Sequence, residues 1–161
     1  MRAFVCVSVL ALTTLSGCLL QNLSATRVLT DQVYALNDEI RWARVDLATE
    51  RVSPEYRPVF LAQLRSWGHN VQIADSDTTH VQISDDMESA TSLTTLSWYD
   101  QSTMELHTSV IQQRWVKNDG GGFMLDLVRV VGGESSLFED VPPEIVEAAE
   151  AAQASRESEE S

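Results

Sequence analysis

The sequence predicts an α+β protein, with N-terminal helices packed on a curved antiparallel sheet of about four strands and an acidic C-terminal tail. Apolar residues recur every three or four positions between residues 26 and 67, which is typical of helices. From Val71 to Val131 the period changes to two, which is typical of strands. Short turns separate the strands, so we expect antiparallel hairpins.

The first helix is predicted by one apolar stripe between Thr26 and Thr49. The spacing fits one long helix, or two segments broken near Asn37-Asp38. The stripe is shorter than the three to four heptads typical of a coiled coil, which favours packing on the protein's own sheet over a dimeric seam. The stripe comprises Leu29, Val33, Leu36, Ile40, Ala43 and Leu47.

A second helix is predicted to begin at Ser53-Pro54-Glu55, where Ser53 can cap free backbone amides and Pro54 suits the first position. Pro58 offers a later start. Gly68 indicates its end. The apolar residues at helical spacing are Phe60, Leu61, Leu64 and Trp67.

Four strands are predicted over residues 71–84, 89–101, 104–118 and 123–131, which are rich in β-branched and aromatic side chains. The glycines at 120–122 indicate a hairpin turn, because no helix follows to form a phosphate-binding loop. In the third strand both faces are partly apolar: Leu106, Thr108 and Val110 share one face, and Ile111 and Trp115 the other.

The N-terminus carries Leu15-Ser16-Gly17-Cys18 directly after the apolar run 3–12 and the basic Arg2. This stretch resembles a bacterial lipobox, which implies removal of residues 1–17 and acylation of Cys18. The apolar run alone fits a signal peptide and is too short to span a bilayer. An ordinary secretory peptide and a buried helix of a cytosolic protein are the alternatives.

The resemblance to a lipobox also implies a cellular location. Two or more acyl chains anchor a protein stably. Leu19 follows the cysteine, whereas an aspartate there retains lipoproteins of enteric bacteria in the inner membrane, so the periplasmic face of the outer membrane is expected. The chain then divides into a signal peptide (1–17), a lipidated tether (18–25), a folded domain (26–133) and an acidic tail (134–161).

Charge and cysteine content exclude several classes of function. The net charge of −13 becomes −14 once Arg2 is removed, and the tail from Glu134 holds nine acidic residues against Arg156. Such a chain lacks the clustered cations that nucleic-acid binding needs. The tail is expected to be solvated, with docking of a basic partner or of divalent cations as the alternative.

Cys6 and Cys18 are the only cysteines, so the mature chain cannot form an internal disulfide.

The segment from Val110 to Leu125 resembles the late hairpin of the cystatin-like cone superfamily, which includes nuclear transport factor two and ketosteroid isomerase. In this segment a strand ending in Trp115 leads through a glycine turn into Phe123. The resemblance implies a curved sheet whose concave face serves as an apolar pocket or a dimer surface. It carries no catalytic residue over to this chain.

Asp75-Ser76-Asp77-Thr78-Thr79 follows an apolar strand, and its pattern Asp-x-Asp-x-Thr resembles the nucleophile motif of haloacid-dehalogenase-type phosphatases. That reaction also needs a parallel sheet and further carboxylates for magnesium. The hairpins predicted after Thr79 do not supply this context, so we expect a solvated bulge or a polar face within a long, bent first strand.

The remaining candidates for chemistry are scattered along the chain. None of His69, His80 and His107 stands at a metal-pair spacing, so no metal site or cofactor is expected. Four tryptophans are expected mainly in the core, with a ligand pocket as the alternative. They are Trp42, Trp67, Trp98 and Trp115.

The function expected is therefore that of a membrane-anchored periplasmic lipoprotein. It would act as a non-catalytic interaction or assembly module, with a protein partner or a second copy on its sheet face. The alternative is binding of a small apolar ligand in the cone cavity. An exposed apolar sheet face favours the first function, and a continuous pocket favours the second.

Overall fold

A computed structural model describes the backbone of residues 16–138 and the side chains from Ser24 onward. The predicted signal peptide up to residue 15 and the predicted tail from residue 139 lie outside this range. The elements are α1 (Ser16–Arg41), α2 (Val45–Glu50), α3 (Arg57–Trp67), β1 (Val71–Ile83), β2 (Ser89–Asp100), β3 (Glu105–Lys117), β4 (Phe123–Gly133) and a 3₁₀ turn (Ser136–Phe138).

The four strands form one antiparallel sheet in the order β1-β2-β3-β4. The sheet is curved and open, and the helices pack against it, which confirms the predicted α+β fold. Every predicted strand end lies within two residues of the observed one. We call the face of the sheet toward the helices the inner face and the opposite one the outer face.

Both edge strands carry two β-bulges. The extra residues are Ala74 and Thr79 in β1, and Asp126 and Val131 in β4, where the register with the neighbouring strand shifts. A bulge bends its strand and increases the local twist. The curvature of the sheet therefore originates at its two edges.

The helical region divides in two after Arg41, so it is neither one long helix to Thr49 nor two segments broken near Asn37-Asp38. α1 runs through Asn37-Asp38 and ends at Arg41, where the amides of Ala43 and Arg44 donate to the carbonyls of Ile40 and Glu39. This is a Schellman motif with Ala43 in the left-handed region at φ 53°. The predicted break at Asn37 is wrong because its side chain bonds across to the sheet instead of to its own backbone.

The second predicted helix begins later than Pro54. Residues 51–53 lie along the edge of β4 instead, where the Ser53 amide donates to the Leu125 carbonyl and the Leu125 amide to the Arg51 carbonyl, both at 2.8 Å. α3 then begins at Arg57, with Pro58 in its first turn. Residues 51–53 therefore cover the edge of β4 beside Leu125.

The core lies between the inner face and the helices. Leu29, Val33 and Leu36 of the predicted stripe are fully buried, which confirms that it packs on its own sheet. Ala43 and Leu47 are exposed, contrary to the predicted stripe, because α1 ends before them. The core side of the sheet includes Ile73, Leu96, Trp98, Ile111, Trp115, Leu125 and Val128.

The packed structure continues past Gly133 to Phe138. A Cβ at Gly133 would stand 2.2 Å from the Thr108 carbonyl oxygen, and its φ is 74°, so glycine is needed where β4 leaves the sheet. Leu137 is then buried, and its carbonyl accepts a hydrogen bond from the Trp67 indole at 2.6 Å. Phe138 packs edge-on against the Trp67 ring with 5.7 Å between centroids.

A polar network crosses the middle of this core. The Gln113 amide donates to Asn37 Oδ1 at 2.9 Å, and Asn37 Nδ2 donates to Thr94 Oγ1 at 3.2 Å. Ser92 donates to Gln113 Oε1 at 2.8 Å and accepts from the Trp115 indole at 3.0 Å. All five side chains are at most 2% exposed, so each depends on the others for its hydrogen bonds.

Removing Asn37 should therefore be costly. Asn37→Ala leaves the buried Gln113 amide without its acceptor, and we expect the free energy of unfolding to fall by about 2–4 kcal/mol. Asp31→Ala, at an exposed position of the same helix, should change it by less than about 0.5 kcal/mol. Urea unfolding followed by circular dichroism measures both values. Equal values for the two variants would contradict a structural role of the network.

Candidate functional site

A groove of about 430 Å³ lies where the end of α1 meets the end of α3 and the start of β1. We call it the Trp42 groove. Its lining residues are Ile40, Arg41, Trp42, Ala43, Val45, Leu64, Trp67, Gly68, His69, Val71, Gln72, Ile73 and Gln101.

The groove combines buried apolar side chains with an exposed aromatic one. Ile73 and Trp67 are 5% and 9% exposed, whereas Trp42 is 64% exposed. Trp42 also lines a depression of about 180 Å³ together with Ala74 and Tyr99, so the two concavities share this residue. An aromatic side chain so exposed beside an apolar concavity is typical of a binding surface.

The position of Trp42 is determined by polar contacts at the end of α1. Its indole Nε1 donates to Asp38 Oδ1 at 3.0 Å, and Asp38 also pairs with Arg44. The Arg41 guanidinium lies 5.6 Å from the centroid of the indole ring and pairs with Asp75 of β1 at 3.2 Å. The ring is therefore held toward solvent by the residues that end the helix.

The outer face of the sheet presents a second apolar surface. Tyr99 of β2 and Leu106 of β3 are paired in register and are 37% and 58% exposed. Val110 lies on the same face two pairs along, and Val131 at the β4 bulge is 53% exposed. Tyr99, Leu106 and Val110 form what we call the outer-face patch. The predicted division of β3 into two faces is confirmed, since Ile111 and Trp115 are buried.

The structure places Asp75 and Asp77 within an antiparallel edge strand, opposite Ser97 and Thr95. Both are exposed, and Asp75 pairs with Arg41. The register shifts at Ala74 and Thr79 on either side of this exposed, polar stretch of the first strand.

The three histidines lie on different elements. His69 follows α3, His80 is in β1 beside Gln82, and His107 of β3 stacks on Trp98 with 4.5 Å between ring centroids. Within residues 16–138, no group of three or more His, Cys, Asp or Glu side chains is placed to hold a metal ion. Nor does any helix in this range have the length and apolar character needed to cross a membrane.

Residues 120–122 form the predicted hairpin turn. The Asn118 side chain accepts from the Gly122 amide at 2.9 Å, and Gly121 has φ 79°.

Cys18 lies in the first turns of α1, and its side chain is outside the described range.

A buried polar cluster lies under α3. Asp126, which is 2% exposed, accepts from Ser53 Oγ at 3.0 Å and pairs with Arg114 at 2.7 Å. The Tyr56 hydroxyl donates to Gln63 Oε1 at 3.1 Å and accepts from the Val128 amide. Burial raises the pKa of Tyr56 to about 12. These groups join the segment before α3 to β4, and their contacts are structural.

Sequence reasoning did not locate the Trp42 groove. Three of the four tryptophans are buried, as expected for most of them, but Trp42 is not. One signal was available, because Trp42 falls between stripe positions Ile40 and Ala43 and would point away from the core in a continuing helix. The floor of the groove comes from residues far apart in sequence.

Comparison of the chain with models of known protein families and with curated protein sequences found no match.

The buried Tyr56 hydroxyl should make stability depend on alkaline pH. Its pKa is higher in the folded protein than the ordinary value of 10, so its contribution is complete below pH 10 and is lost as the pH rises through about 12. We expect the free energy of unfolding to fall by about 2–3 kcal/mol over this window.

Urea unfolding at pH 9 to 12 measures this loss. Tyr56→Phe should remove it, whereas Tyr34→Phe, at an exposed tyrosine, should retain it. A loss of the same size in Tyr56→Phe would assign the effect to other groups.

Proposed function

We propose that the protein is a bacterial lipoprotein, acylated on Cys18 and held at the periplasmic face of the outer membrane. Its α+β domain is a non-catalytic interaction module that binds a protein partner, or a second copy of itself, through the outer-face patch. The observation that carries the second part is the exposed, register-paired Tyr99 and Leu106 on the outer face.

The course of α1 supports this anchoring. The helix runs without a break from Ser16 to Arg41, and Leu29 is the first fully buried residue in its described part. Acyl chains on Cys18 would therefore lie about 16 Å along the helix axis from the packed domain. A continuous helix transmits orientation as well as distance, so the bilayer would restrict which face of the domain meets a partner.

The packing of the interior supports the choice of the outer face. Trp115, Ile111 and Leu125 fill the space between α1 and the sheet, and the Asn37 network occupies its centre. Tyr99 and Leu106, which are among the exposed large apolar side chains of the described residues, lie on the outer face of the sheet. Exposed apolar area on a folded domain commonly indicates an interaction surface.

The anchor is tested by replacing the acylated residue. Cys18→Ala should leave the chain unprocessed or shed from the membrane, whereas the wild type should fractionate with the outer membrane. Ser24→Ala, an exposed position later in α1, is the matched control and should behave as the wild type. Wild-type protein in the soluble cytosolic fraction would contradict the anchor.

The outer-face patch is tested by crosslinking in cells. A photo-reactive phenylalanine derivative at position 106 should give a discrete adduct, because Leu106 would lie inside the interface. The same group at position 82, an exposed residue of β1, should not give this adduct.

Mass spectrometry of the adduct separates a partner protein from a second copy of the chain. With the group moved to position 99, Leu106→Asp should lower the yield at least tenfold, while Gln82→Asp leaves it unchanged. The same weak adducts at positions 106 and 82 would contradict an interface on this face.

Binding of a small apolar molecule is the second candidate function, and the Trp42 groove favours it. Its volume of about 430 Å³ lies within the usual range of ligand sites, and its floor is apolar. Native mass spectrometry of protein purified from its own membrane would show a bound molecule that Trp42→Ala loses. Ligand-free protein would contradict this candidate.

A further inference from the structure

We propose that the two concavities around Trp42 form one site for a glycan chain, in which an uncharged sugar ring stacks on the Trp42 indole. The first concavity is the Trp42 groove, and the second is the depression of about 180 Å³ beside it, which we call the Tyr99 depression. The proposal rests neither on the anchor nor on a partner at the outer-face patch. The lining of the Tyr99 depression is Arg41, Trp42, Gln72, Ile73, Ala74 and Tyr99.

The first argument is the aromatic surface of the site. Trp42 and Tyr99 are 64% and 37% exposed, and both line the Tyr99 depression. A pyranose ring has a face of C–H groups that packs on an aromatic plane, while its hydroxyl groups point outward from the ring edge. Aromatic side chains with an apolar body and a polar tip suit such a ligand. β-1,4-Linked glucose and N-acetylglucosamine are the class expected, because their equatorial substituents leave the C–H faces flat.

The second argument is that Trp42 is held in place by the protein itself. Its indole donates to Asp38 at 3.0 Å, and the Arg41 guanidinium lies 5.6 Å from the centroid of its ring. Arg41 is in turn paired with Asp75 at 3.2 Å. A ring that is already fixed loses little conformational entropy when a ligand stacks on it, and this favours binding.

The third argument is the supply of hydrogen-bonding groups. Gln72 lines both concavities, and its Oε1 accepts from the Gln101 side-chain amide at 3.1 Å, which orients the Gln72 side chain. Within residues 24–138, Gln72 Nε2 and the Tyr99 hydroxyl have no hydrogen-bond partner. Amide and phenol groups donate and accept as the hydroxyl groups of a sugar require.

The charges beside Trp42 favour an uncharged ligand. Arg41 pairs with Asp75, and Arg44 pairs with Asp38, so each of these arginines is neutralised by a carboxylate. An anionic ligand would have to displace Asp75 from Arg41, and a cationic ligand would meet the guanidinium of Arg41. A neutral sugar leaves both ion pairs intact.

The shape of the site favours a chain of sugars over a single one. The two concavities share part of their lining, so they are contiguous. The Tyr99 depression, at about 180 Å³, is small for a ligand site, whereas the groove adds about 430 Å³ beside it. Successive sugars of one chain can therefore occupy both. The shared residues are Arg41, Trp42, Gln72 and Ile73.

The test is a titration of the full chain with the tetramers of N-acetylglucosamine and of glucose. Trp67, Trp98 and Trp115 are at most 9% exposed, so a shift of tryptophan emission to shorter wavelength reports mainly on Trp42. We expect saturable binding of at least one tetramer, with a dissociation constant of about 1 mM or lower. The corresponding monosaccharide should bind about tenfold more weakly or worse, because it fills only one concavity.

Substitutions followed by calorimetry assign the binding to this site. Trp42→Ala should weaken binding about tenfold or more, whereas Trp42→Phe keeps an aromatic plane and should weaken it less. Gln72→Ala removes one donor and should weaken binding about fivefold. Gln82→Ala, at an exposed glutamine later in β1, is the matched control and should bind as the wild type does.

Three outcomes would overturn the proposal. Neither tetramer might reach saturation, or Trp42→Ala might bind as tightly as the wild type, and either result would exclude stacking on this ring. Equal affinity for a monosaccharide and its tetramer would contradict a site that spans both concavities. The neutral apolar dye N-phenyl-1-naphthylamine separates this proposal from the second candidate function, since Trp42-dependent binding of the dye without binding of either tetramer would assign the site to an apolar ligand. Thermal unfolding of each variant verifies that the fold is retained.

Discussion

The contact between the side-chain amides of Asn37 and Gln113 joins the helical layer to the centre of the sheet, and much of the structure depends on it. Gln113 is fully buried in β3, so its amide requires an acceptor from the layer above, which Asn37 supplies at 2.9 Å. A hydrogen bond of this kind specifies which residue of α1 lies over which strand. Apolar contacts alone tolerate small shifts along the helix. A buried pair of hydrogen-bonded amides does not, because a shift would leave an amide without its partner.

The same register determines where α1 ends relative to the sheet. With Asn37 over the central strands, Arg41 reaches Asp75 of the edge strand β1, and the chain turns at Ala43. Trp42 is thereby left at the corner between the helix end and β1, beside residues of α3. The Trp42 groove is thus a consequence of how the layers are aligned, with its aromatic wall supplied by the helix terminus.

The two apolar surfaces of the domain are related through Tyr99. This residue pairs with Leu106 in the outer-face patch and also lines the depression beside Trp42. Since α1 extends for about 35 Å between Cys18 and Arg41, the groove lies at the far end of that helix from the proposed anchor. An anchor at Cys18 would thus place the Trp42 groove away from the bilayer.

Local pattern determined most of the secondary structure. Alternation of apolar residues placed all four strands, and the glycines at 120–122 and the short turns specified an antiparallel sheet, because these signals act over a few neighbouring residues.

The start of α3, the end of α1 and the exposure of Trp42 depended on tertiary contacts. Residues 51–53 pair with β4 instead of opening a helix, and Asn37 bonds to Gln113 instead of breaking one. Bulges at Ala74, Thr79, Asp126 and Val131 leave no local signature, since they arise from fitting edge strands to a curved sheet. The sequence by itself therefore determined the elements and their order, whereas only the tertiary structure decided the layer alignment and the groove, because these require residues distant in the chain to satisfy one another.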